Sequence, residues 1–172
     1  MVMKKIFASI LCGVVVLAGL TNVVRAEGEE MSDELKGAIS VNCGSIVKQL
    51  QNVRYYDRRA REYLGNRYEK VLTSYVTNLN VRLVKNNISN ARLQELQVAL
   101  AESHAGFKNE YGKYATEMNE LIGMNCVTEP EGFYVKLGQV RARRVNVRRW
   151  TEKMSEGLDK YRDEVADMRD LL

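Results

Sequence analysis

The stretch FYVKLGQVRARRVNVRRWTEKMSEGLDKYRDEVADMRDLL, residues 133–172, decides the fold. Phe133, Leu137, Val140, Arg144, Val147, Thr151, Met154, Leu158, Tyr161, Val165, Met168 and Leu172 succeed one another at alternating intervals of four and three. Residues so spaced share one stripe of an α-helix, and a stripe this long predicts packing along the whole helix in a coiled-coil-like seam. Just upstream, Thr128 and Glu131 have capping-box spacing, and Pro130 falls in the first turn, where its missing N–H costs nothing. A helix over about 129–171 follows.

Working backwards, Leu93, Leu96, Leu100, His104, Phe107, Tyr111, Tyr114, Met118 and Leu121 form a second stripe, predicting a helix over about 90–124. Ser89 stands at its N-cap position, with Ile88 set to staple onto Leu93. A third stripe runs through Ile46, Leu50, Val53, Asp57, Ala60 and Leu64, shifts near Gly65, and resumes at Tyr68, Leu72, Tyr75, Leu79 and Leu83. It predicts a helix over about 43–85, ended by Asn86-Asn87-Ile88-Ser89. A single proline in 172 residues leaves such helices unbroken. Short connections make neighbours antiparallel, so the fold class is all-α: an elongated antiparallel three-helix bundle over 43–172.

The N-terminal 26 residues have the parts of a secretory signal peptide: Lys4 and Lys5, an apolar run from 6 to 20, and Val24-Arg25-Ala26 as the cleavage pattern. The alternative is an uncleaved anchor, since residues 6–24 carry no charge over nearly the length that spans a bilayer. Either way the remainder is expected to be exported, whether periplasmic, cell-surface or secreted. Residues 27–42, EGEEMSDELKGAISVN, lack a sustained apolar period and read as an acidic flexible leader. Without Lys4, Lys5 and Arg25, 23 Lys and Arg face 22 Asp and Glu, so overall charge gives no reason to expect nucleic acid as a partner.

Export makes Cys43 and Cys126 a candidate disulfide, two buried free thiols being the alternative. A metal site would want more Cys or His than one histidine, His104, provides, so neither metal nor cofactor is expected. The topology brings the start of the first helix and the end of the second to one end of the bundle, where the two cysteines sit. Strict pairing about residue 88 would place Cys126 opposite Leu50, so closing the bridge demands an early helix end or an irregular first turn. Asp57 and Arg144 interrupt two seams at matching heights, predicting a buried ion pair that fixes helix register.

Arg54, Arg58, Arg61 and Tyr55 on the first helix, and Arg141, Arg148, Arg149 and Trp150 on the third, gather at one level of the bundle. They are either a surface for an anionic envelope component or an acidic protein, or a solvated face partly neutralised by Glu110, Glu117 and Glu120.

The segments NCGSIVKQLQNVRYYDRRAREYLGNRYEKVL (42–72) and TNLNVRLVKNN (77–87) resemble those of small exported helical proteins of Saccharibacteria and related candidate-phyla bacteria. The resemblance covers much of the chain after the signal and implies a cell-envelope or secreted setting. That family has no assigned activity, so no functional residue carries over. The expected function is a non-enzymatic binding or scaffold module acting through its helical faces, with self-association as a further possibility. A periplasmic holdase is one variant. A ligand carrier or enzyme with its site inside the bundle would need inward carboxylate and His sets that the seams lack.

Overall fold

The structure is a computed structural model and describes residues 31–170. The chain divides into two units, Met1–Ser32 and Asp33–Leu172. The expected signal peptide, and the leader as far as residue 30, lie outside the described residues. In the second unit α1 spans Asp33–Lys70, a π-helical turn follows over Val71–Val76, and α2 spans Thr77–Lys85. Helices α3, Ala91–Gly123, and α4, Pro130–Asp170, complete it. Helix α1 runs continuously through the π-turn into α2, so the architecture is an all-α three-helix bundle.

Helix α1 starts ten residues before Cys43, so residues 33–42 belong to the bundle rather than to a flexible leader. Asp33 and Glu34 supply negative charge to a helix N-terminus, where the backbone N–H groups favour it. Ile39 is buried, Ser40 donates to the Val127 carbonyl at 3.3 Å, and Lys36 approaches Glu131 at 3.6 Å. Two of the acids that suggested mobility, Asp33 and Glu34, therefore stand in the first turn of a helix.

The first connection is a Schellman-type closure. Ile88 N–H donates to the Leu83 carbonyl at 2.9 Å and Asn87 N–H to that of Val84 at 3.1 Å, with Asn87 at φ 57°. Asparagine tolerates that left-handed conformation better than most side chains do. Ile88 packs on the cluster that contains Leu83 and Leu93. The N-cap of α3 is Asn90 rather than Ser89: its side chain accepts from Leu93 N–H at 2.9 Å and donates to Glu164 at 2.9 Å. At the other connection Asn125 Oδ1 accepts from the backbone N–H groups of Val127 and Thr128. The Thr128 hydroxyl donates back to the Asn125 carbonyl at 3.4 Å while Glu131 turns to Lys36, so these two side chains serve the loop and α1 rather than a reciprocal capping box.

Contacts set the register. Arg54 with Asn119, Asp57 with Tyr114, Arg61 with Tyr111 and Gly65 with Phe107 all pair about residue 86, two residues before the expected centre. Ile46 thus falls opposite Cys126. Met124, with ψ 146°, is extended, and extended chain advances about 3.3 Å per residue against 1.5 Å in a helix. That gain, about 1.8 Å, makes up part of the remaining three residues, and Cys43 and Cys126 stand at disulfide distance, Cα atoms 5.5 Å apart. Neither an early helix end nor an irregular first turn is involved.

The expected seam shift lies in the π-turn, later than Gly65. Thr77 N–H donates five residues back to the Leu72 carbonyl, and its hydroxyl reaches the same oxygen at 2.9 Å. Thr73 bonds back to the Glu69 carbonyl at 2.8 Å. Such hydroxyl back-bonding competes with regular helix geometry, and the wide turn inserts one residue into the stripe. Val76 is consequently buried in place of the expected Tyr75, which is 61% exposed. Beside it lies a buried polar network. Tyr161 donates to Asn80 Oδ1 at 2.9 Å, and Asn80 Nδ2 donates to the Leu93 carbonyl and to Gln97 Oε1. Gln97 in turn donates to the Thr77 hydroxyl at 3.3 Å.

Helices α3 and α4 approach closely because glycines admit large neighbours. A Cβ on Gly106 would lie 2.7 Å from the Trp150 indole, and one on Gly157 2.8 Å from Leu100 Cδ2. Leu93, Leu100, Met118, Leu121, Phe133 and Met154 fill the seam between them.

Candidate functional site

The middle of the bundle is delimited by contacts between helices: Lys136 with Glu120 at one edge, Trp150 against Gly106 at the other, and α1 spanning the same level from Arg54 to Gly65. Residues 51–67, 106–120 and 136–150, which occupy this level, hold 13 Lys and Arg against five Asp and Glu. Over the rest of residues 33–170, ten Lys and Arg face 14 Asp and Glu. Charge is thus segregated along the bundle, with a positive middle between acidic ends, and such a field concentrates anionic partners at the middle.

Asp57 and Arg144 meet as expected. The guanidinium donates through Nε and Nη2 to the two carboxylate oxygens, each at 2.9 Å, the bidentate geometry that gives such pairs their directionality. The pair is less buried than expected. Its Asp57 side chain is 20% exposed and Arg144 50%, because α1 covers only one edge of the α3–α4 seam at this level. The buried member is Tyr114, whose hydroxyl donates to Asp57 Oδ2 at 2.5 Å. Burial, then that bond to a carboxylate, pushes the Tyr114 phenol far above its ordinary range. Asp57 likewise holds the Arg144 guanidinium further up its own range, chiefly by the hydrogen bond. This triad locks three helices; in the sequence Tyr114 is one member of the α3 stripe, and only its hydroxyl on a seam facing Asp57 marks it out.

The expected arginine band separates into three groups. Arg54, Arg58 and Arg61 share the flank of α1 toward α3: Arg54 donates to Asn119 Oδ1 at 2.8 Å and Arg61 lies 5.5 Å from the Tyr111 ring centroid. Arg58 stands 3.8 Å from Glu62. Arg141 and Arg148 lie one heptad apart on α4, Arg148 donating to Glu152 at 2.8 Å. Arg149 points about 140° round α4 from Arg144, five residues at a helical step, and so belongs to another face. Arg143, outside the expected set, bonds Glu117 at 2.9 Å and reaches Glu110 at 3.5 Å, tying α3 to α4. Trp150 is a packing residue against Gly106 rather than an exposed contact, with Lys153 4.4 Å from its ring centroid.

Tyr55 remains exposed, as do Tyr56 at 68% and Tyr63 at 59%. Guanidinium groups stack on two of these rings: Arg67 lies 4.3 Å from the Tyr63 centroid and Arg59 5.8 Å from that of Tyr55, to whose hydroxyl it also donates. A stacked guanidinium keeps in-plane N–H donors available to an anion while the ring restricts its motion.

His104 is half-buried on α3. Burial, and then the neighbouring positive charge of Lys108, lower its pKa below the ordinary value; Glu69 opposes them, and Arg61 adds a smaller effect in the same direction as Lys108. No group of three or more His, Cys, Asp or Glu side chains able to hold a metal occurs among the described residues. An open depression of about 620 Å³ is lined by Lys108, Gly112, Thr116, Glu117, Glu120 and Lys136 of α3 and α4, and neither Asp57 nor His104 lines it. Among the described residues no helix is long and apolar enough to cross a membrane. No family model, curated protein or solved structure matches the chain.

Proposed function

We propose that the chain is an exported, non-enzymatic helical module of the cell envelope or the secreted fraction, which binds an anionic envelope component through the positive middle of its bundle. The observation that carries this reading is the segregation of charge: 13 cationic against five acidic side chains at one level, between ends of opposite sign. Three exposed tyrosines at the same level add contact area of the kind enriched in interfaces. The Cys43–Cys126 pair suits an oxidising compartment and so agrees with export. The polar groups of the seams are engaged in holding helices together, which leaves the outer faces as the place for recognition.

Retention on an immobilised linear polyanion, followed as a function of salt, tests the proposal. Replacing Arg58 and Arg149 together by Glu is expected to lower the salt needed for elution, because fewer counterions are released on binding. Both side chains are exposed, so the fold should be unaffected. Elution of wild type and variant at the same salt concentration would remove the reading.

A further inference from the structure

About 100° round α4 from its buried seam runs a second stripe at intervals of four and three. It begins with Arg141, Val145 and Arg148 and continues through Glu152, Glu156, Asp159 and Asp163. Every one of these residues is exposed, Val145 to 58%. The stripe therefore changes sign halfway along: its first part is cationic and its second acidic. A surface of that kind is self-complementary when a copy of it is turned end for end, which is the requirement of an isologous two-fold interface.

We propose that this face docks a second copy of the same chain, with the two α4 helices antiparallel about Glu152. Turned in this way, Arg148 meets Glu156 of the second copy and Arg141 meets its Asp163, and the two-fold axis repeats both pairs. The like charges brought together at the axis are already screened, since each Glu152 takes a 2.8 Å hydrogen bond from Arg148 of its own chain.

Apolar and aromatic area adjoins the cationic half. On α1, Arg54 and Arg61 turn toward α3, so Tyr56 and Tyr63, about 100° round the helix from Asp57 on the other side, flank α4. Acidic side chains of the second copy would lie along these rings and the stacked Arg67. The inference deepens the reading of a module that acts through its helical faces, by naming one partner for part of the positive middle.

Sedimentation equilibrium of the purified chain tests it. At low salt the wild type is expected to form a dimer in the micromolar range, weakened at least about tenfold at high salt, as rim charges are screened. Replacing Arg141 and Arg148 together by Glu, or Glu156 and Asp163 together by Arg, should each abolish the dimer, since like charges then face one another. An equimolar mixture of the two variants should restore it, because only the mixed pair regains every opposite-charge contact. This mixing also excludes misfolding as the cause of the loss. A wild type that stays monomeric at about 100 μM in low salt, a dimer indifferent to either reversal, or a mixture that fails to associate would each overturn the proposal. Polyanion retention of the wild type is measured alongside. Retention by a chain that remains monomeric defeats only the second copy as partner, whereas a dimer without retention defeats the anionic component and leaves this inference standing.

Discussion

Helix α3 buries seven of its side chains, whereas α1, five residues longer, buries only Ile39. The contrast follows from what each presents to α4. Leu93, Leu100, Phe107, Met118 and Leu121 give α3 a large apolar stripe, and Gly106 and Gly157 let Trp150 and Leu100 sink between the backbones. Toward the α3–α4 pair α1 offers Asp57, Ala60 and Gly65 in mid-course, with Leu64 still 38% exposed. One helix is held along a continuous seam and the other at separate points: the cysteine pair, the Asp57–Arg144–Tyr114 triad, and the polar network beyond the π-turn. Point attachment leaves the outer face of α1 free for tyrosines and arginines that a continuous seam would have to accommodate or exclude.

The largest effect that would break this comparison comes from the cysteines. Their 83-residue separation gives a chain-entropy stabilisation of about 4–5 kcal/mol for the bridged form. Replacing both by Ser should lower stability by up to about that amount in urea melts. Hydrogen exchange should rise through residues 33–57 while α3 and α4 keep their protection; equal loss in all helices would mean that α1 is an integral part of the seam.

Next, Leu100→Ala in the α3–α4 seam should cost about 3 kcal/mol and Leu50→Ala on the half-buried side of α1 about 1 kcal/mol. Equal costs for the two in the same urea titration would erase the distinction.

The smallest effect concerns pH. Because the folded-state pKa of His104 is depressed, the unfolded chain takes up its proton first on acidification. Its contribution is present above the unfolded value, near pH 6.5, and is lost as pH falls through the lower folded value. The midpoint temperature should therefore decline more steeply between pH 7 and pH 5 in the wild type than in His104→Gln. Parallel declines in the two would show that the site does not distinguish the protonation states.

The repeat in α4 made the helical class legible, and the Asp57–Arg144 pairing followed from two seam interruptions at one height. Short-range detail was less legible, because it depends on competition between similar groups. Ser89 and Asn90 are both good caps, and the choice is made by Asn90 also reaching Glu164, 74 residues away. Residues 27–42 look like a leader because they hold five acids and no sustained apolar period; within them Ile39 is nonetheless buried, and Ser40 finds a partner only once the loop after Cys126 is beside it. Trp150 falls beside a seam in the repeat, and only the missing side chain of Gly106 on another helix gives it a place to bury. Of the arginine band, composition indicated the common level, but the division into separate faces needed the rotation of each helix about its axis.

The wide turn at Val71–Val76 has a bearing on chain length. Two helices zipped without interruption must match residue for residue from one tip to the other, so that any mismatch at one tip accumulates along the pair. A surplus residue stored partway uncouples the halves: the azimuth of Cys43 is set by the lower span and that of Asn80 by the upper, and the count between them need not be a whole number of heptads.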